Sequence, residues 1–104
     1  MVVKWLAPAK ESLKNISSYY KKEYTPKAAF KIITEIRLSV NKLKEFSELA
    51  AIETLLEGRT KTYRSLVVSK TYKVVYFIEN KTVYVADIWD CRQHPETNKR
   101  KIKK

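Results

Sequence analysis

The chain predicts an α+β domain ordered β-α-α-β-β-β, a helical hairpin packed on one face of a small antiparallel sheet. Three observations predict it. Residues 8–45 carry apolar side chains at helical spacing in two segments, separated at Thr25-Pro26. Residues 63–89 carry three short runs of β-branched and aromatic residues. Between these halves, residues 46–62 keep neither period and hold the only glycine, Gly58, as expected of a connection.

Each element has its own reason. Val2 to Leu6 is short and apolar and stops before Pro8, so it is expected as a first strand. Pro8 suits the opening turn of a helix, where its missing N–H is not needed. Leu13, Ile16 and Tyr20 then recur at i, i+3 and i+7, predicting an amphipathic helix over about residues 8–23. Thr25 is a natural N-cap with Pro26 at the first helical position. Ala29, Ile32, Ile33, Ile36, Val40 and Leu43 follow as one apolar stripe, opposite Lys27, Lys31, Glu35, Lys42 and Glu45. In the second half, 63–68 alternates moderately, whereas 72–78 is apolar at nearly every position, as a strand covered on both faces requires. Glu79-Asn80-Lys81 is a hairpin turn, because Asn tolerates positive φ, and 82–89 is the last strand. Two helices cover only one face of such a sheet. The other face must receive the C-terminal tail or remain an apolar patch of the kind that binds partners.

Composition narrows the function. At 104 residues there is room for one modest core. The net charge is +11, and residues 58–104 hold 12 Lys/Arg against four Asp/Glu. A cationic, sticky sheet points to nucleic acid or an acidic protein as partner, although charge also serves solubility alone. No apolar run approaches the roughly 18 residues of a membrane span. Met1-Val2-Val3-Lys4-Trp5-Leu6 lacks a signal-peptide core, and the lone Cys91 cannot form an internal disulfide, so a cytoplasmic location is expected.

Phosphate loops, HExxH, CxxC and GxSxG are absent, and the four acids of the second half are not spaced as a metal cage, so no metal or cofactor is expected. Metal-free RNA cleavage would still need a base, an acid and cations around phosphorus. Arg64, Lys73 and Arg92 supply cations, and His94, the single histidine, or a lysine of depressed pKa supplies a base. The bland alternative leaves Arg64 and Lys73 as solvated strand residues and Cys91 as a buried strand-end thiol. A plain nucleic-acid-binding module using tyrosines and basic residues is a further alternative.

Three stretches carry a family resemblance: Leu6-Ala7-Pro8-Ala9-Lys10-Glu11-Ser12-Leu13-Lys14-Asn15-Ile16 with Tyr19-Tyr20, then Tyr63-Arg64-Ser65-Leu66 with Tyr72-Lys73-Val74-Val75-Tyr76, then Ile88-Trp89-Asp90-Cys91-Arg92-Gln93-His94-Pro95. Over about residues 3–95 the chain resembles the RelE/ParE superfamily of bacterial toxins. The resemblance implies a single toxin domain at 1–96 followed by a basic tail at 97–104. It implies the toxin of a type II toxin–antitoxin pair, of the kind encoded as plasmid- or chromosome-stabilisation modules. The implied partner is a small acidic antitoxin that wraps the toxin, with Tyr72, Tyr76, Tyr84 and Trp89 expected to contact it. RelE-like members cleave ribosome-bound mRNA, and the resemblance would then give Arg64, Lys73, Arg92 and His94 catalytic roles. Leu66, however, stands where that set has a second lysine, and no tyrosine follows Tyr84 in the tail. ParE-like members act on DNA gyrase instead, and the long hairpin at 8–45 is ParE-like in proportion. The expectation is therefore a ParE-like toxin, with an mRNA endonuclease as the alternative.

Overall fold

The computed structural model describes residues 1–92 and residue 102. Its elements run β1 (Val2–Trp5), α1 (Ala7–Glu23), α2 (Pro26–Lys42), β2 (Ala51–Ile52), β3 (Arg64–Val68), β4 (Tyr72–Glu79) and β5 (Thr82–Asp90). Both proline-led helix starts are present. Thr25 caps α2 by accepting from the Ala28 N–H at 3.0 Å, whereas Leu6 gives α1 no side-chain cap. The α1 stripe of Leu13 and Ile16 and the α2 stripe of Ile32, Ile36 and Val40 are buried together against Val74, Val85 and Ile88 of the sheet. Leu43, one residue past α2, is buried with Tyr76 and Val83 and continues the same stripe.

The sheet order is β1-β5-β4-β3-β2. β2, β3, β4 and β5 pair antiparallel, but β1 pairs parallel to β5, with Val3 opposite Val83 and Trp5 opposite Val85. The sheet is therefore mixed, not wholly antiparallel. A strand that leaves through two helices has no turn to dictate its direction, so only packing of the hairpin decides which edge it joins. The segment at 46–62 also holds more than a connection. It contributes the two-residue strand β2 and a single 3₁₀ turn at Thr54–Leu56.

β4 and β5 form the centre. In β4, Tyr72, Val74 and Tyr76 face the helices while Val75 and Phe77 face away. In β5 a bulge opposite the Val75–Tyr76 step leaves Ala86 as the extra residue, since Val75 pairs with Asp87 and Tyr76 with Val85. The bulge shifts the alternation, so Val83, Val85 and Ile88 all reach the helical side despite their unequal spacing. Asn80 and Lys81 make the two-residue turn between these strands, both at positive φ (51° and 59°).

Ile36 is fully buried in the middle of the α2 stripe. Ile36→Ala should lower stability by about 2–5 kcal/mol, read as a fall in the urea midpoint at unchanged slope. A shift near zero would mean that α2 is not seated on the sheet as described.

Candidate functional site

The face of the sheet away from the helices carries the features that bear on function. Val75 and Phe77 of β4 and Tyr84, Ala86 and Trp89 of β5 form its floor, with Tyr63 before β3 and Leu55 and Leu56 of the 3₁₀ turn around them. Phe77 stacks on Tyr84 at 5.1 Å between centroids and meets Tyr63 edge-on at 5.5 Å. Lys61 lies over the Phe77 ring at 4.7 Å and is ion-paired with Glu79. Ile102, from the basic tail, is buried in this cluster, and the Arg59 guanidinium donates to its carbonyl oxygen. The face thus receives a residue of the tail.

The cations expected to act together do not converge. Arg64 sits opposite Tyr76, on the helical side, and its Nη1 donates to the Ala50 carbonyl at 2.7 Å. Lys73 sits opposite Trp89, on the outer side, and its ammonium pairs with Glu53 at 2.8 Å. Arg92 follows β5, grips the Asp90 carboxylate with two nitrogens, and lies 6.0 Å from the Tyr19 ring centroid of α1. That bidentate grip raises the Arg92 guanidinium further above its ordinary range. His94 lies outside the described residues. Cys91 was expected to be a buried strand-end thiol; it is exposed instead, because β5 ends at Asp90 and Cys91 occupies the following turn.

Glu53 is the residue that periodicity did not single out. It follows β2, is only 4% exposed, and its carboxylate accepts from Lys73 Nζ, from the Ser65 hydroxyl at 3.0 Å and from the Leu55 N–H at 3.0 Å. Burial alone would push its pKa up; the Lys73, Leu55 and Ser65 donors outweigh burial and hold it below the usual carboxylate value. The one available signal was Lys73 itself. A lysine inside a strand covered on both faces needs a counter-charge, and Glu53 supplies it from the irregular segment.

Of the aromatic residues expected to meet an antitoxin, Tyr72, Tyr76 and Trp89 are buried within the chain, and Tyr84 is half-buried. Tyr76 donates its hydroxyl to the Ser47 carbonyl at 2.8 Å. Burial, with the neighbouring Tyr20, drives the Tyr72 phenol far above its ordinary pKa, which keeps it protonated at physiological pH.

The described elements form a helical hairpin on a mixed five-stranded sheet, with a partly self-covered outer face. The family model described as "ParE toxin of type II toxin-antitoxin system, parDE" matches residues 3–95, and the chain belongs to that family. A solved chain from the chromosomal ParDE toxin–antitoxin system of P. aeruginosa is similar to it, with a TM-score of 0.73 and 20% identity. That match covers 86% of this chain and 95% of the other, and at such identity the likeness is one of fold. None of the curated proteins matches the chain. Membership of that family makes the chain a toxin of the type II toxin–antitoxin class. Among the described residues no helix is long and apolar enough to cross a membrane.

The Glu53–Lys73 pair gives an asymmetric prediction. Lys73→Met strands a buried carboxylate and should cost about 3 kcal/mol. Glu53→Gln leaves a lysine that is already 30% exposed and turns to water, for a loss of about 1 kcal/mol. Because Glu53 is held below the ordinary carboxylate value in the folded chain, its contribution is present well above that ordinary value and fades as pH falls through the folded pKa. Urea titrations between pH 3 and 7 should show this acid-side loss in the wild type and less of it in Glu53→Gln. Equal losses in the two proteins would contradict the pairing.

Proposed function

We propose that this toxin arrests growth by acting on DNA gyrase, in the manner of ParE-like proteins, and that a small acidic antitoxin neutralises it in the cytoplasm. The observation that carries the reading is the engagement of Arg64, Lys73 and Arg92 by Ala50, Glu53 and Asp90, on opposite sides of the sheet. Phosphodiester cleavage without metal needs cations converging on one phosphate, and this arrangement favours a protein-directed toxin over an mRNA endonuclease. The acidic partner has separate support. A groove of about 540 Å³ along the helical hairpin is lined by Lys10, Lys14, Lys21 and Arg37 beside Trp5 and Ile33. Such a surface speeds and selects encounter with an acidic protein, while apolar anchors supply most of the affinity.

The test must separate loss of chemistry from loss of fold. Replacing Lys73 alone leaves Glu53 buried and unpaired, so the informative protein is the double variant Glu53→Gln/Lys73→Met, which removes the pair together. Gyrase-directed toxicity predicts that this variant still arrests growth when expressed alone and still inhibits supercoiling, with ribosome-bound mRNA left intact. Restored growth together with lost mRNA cleavage, in a protein whose urea midpoint is kept, would assign the chain to the endonuclease class. If a gene for a small acidic protein lies beside this one, its co-expression should restore growth in either case; failure of that rescue would remove the antitoxin from the reading.

A further inference from the structure

We propose that the outer face of the sheet is a peptide-docking surface whose resident ligand is this chain's own C-terminal segment, seated through Ile102. The proposal stands on the packing of that face and does not depend on which target the toxin attacks.

Residues 97–104 hold five Lys/Arg and a single apolar residue, Ile102. A segment of that composition has no reason to fold on its own account. Yet Ile102 is only 7% exposed, buried in one apolar cluster with Leu56, Tyr63, Val75, Phe77 and Trp89. The Arg59 guanidinium fixes the backbone at the same residue by donating to its carbonyl. One aliphatic side chain in an apolar seat, with its own carbonyl held by a side-chain donor, is an anchor of the kind that docks a peptide.

The seat is only half satisfied. Trp89 is 1% exposed, and its indole Nε1–H finds no acceptor among the described residues. Buried donors of this kind are uncommon, and an orphaned one loses its hydrogen bond to water without replacement. Ile102 fills the apolar volume but brings nothing to this donor. An incoming extended segment that offers an aliphatic side chain and a carbonyl or carboxylate acceptor satisfies both, and on that account displaces Ile102. Removing the side chain of Ile102 from its seat should therefore favour an external ligand roughly ten- to hundredfold, the range expected for exposing one large aliphatic side chain.

Trp89 shares the chain with only one other tryptophan, Trp5, so the two indole N–H resonances of a ¹⁵N-labelled sample report the seat directly once Trp5→Phe assigns them. Ile102→Asp should move the Trp89 indole resonance and speed its hydrogen exchange at least tenfold. Leu38→Asp, on an exposed position of α2, should leave both unchanged. Arg59→Ala should move the resonance in the same direction by less, which keeps the test open if Ile102→Asp folds poorly. A synthetic peptide of residues 97–104 at millimolar concentration should return the resonance of the Ile102→Asp protein towards wild type. It should bind wild type at least tenfold more weakly, because the tethered copy competes. A Trp89 resonance indifferent to both substitutions, or a peptide that leaves it unmoved or binds both proteins alike, overturns the proposal.

Discussion

β4 and β5 are buried on both faces, and two helices can cover only one of them. Everything else in the molecule answers that constraint. The hairpin of α1 and α2 takes the side of Tyr72, Val74, Tyr76, Val85 and Ile88. Among the described residues, no helix covers the opposite side of Val75, Phe77, Ala86 and Trp89. It is closed piecemeal, by Tyr63, by Leu55 and Leu56 of the 3₁₀ turn, and by Ile102. An apolar sheet face of this size costs free energy in proportion to the area left wet, so even irregular segments are drawn onto it. That explains why Leu55 and Leu56 are drawn onto the sheet although most of the segment at 46–62 is exposed.

The same constraint governs the charges. Lys73 belongs to β4 and emerges on the outer face beside Glu53, whose buried carboxylate would be costly without a counter-charge. Glu53 meets it because β2 pairs with β3 and carries the chain to that point. The pair ties the irregular segment to the central strand, with Ser65 and the Leu55 N–H saturating the carboxylate. Among the described residues, positive charge occurs in two settings that bear on function. Inside the sheet it is held by specific acceptors and shapes the fold. Along the helical hairpin, Lys10, Lys14, Lys21 and Arg37 border an open groove and set the long-range field. A long-range field acts on encounter and partner choice.

Much of this was legible residue by residue. Leu13 and Ile16, then Ile32, Ile36 and Val40, announce the hairpin because helical periodicity is a property of local spacing. Thr25-Pro26 announces the start of α2 because capping needs only neighbouring atoms, and Asn80 the turn because positive φ is a property of one residue. Near-continuous apolarity marked 72–78 as central. The direction of β1, the bulge at Ala86 and the Glu53–Lys73 pair were not legible, since each depends on partners far apart in the chain. Cys91 illustrates the point in reverse. Its strand-like neighbours suggested burial, but β5 stops one residue earlier, and the thiol turns outward.

The order β-α-α-β-β-β, the two-sided burial of 72–78 and the cationic second half were settled by sequence, because each rests on composition or on spacing within a few residues. Which cations remain available, and what covers the second face, were settled only by tertiary structure. Arg64 and Lys73 lie nine positions apart on adjacent strands, and the pairing of Arg64 with Tyr76 puts them on opposite sides of the sheet. A register of that kind is set by the packing of whole strands, so no local pattern could have revealed it.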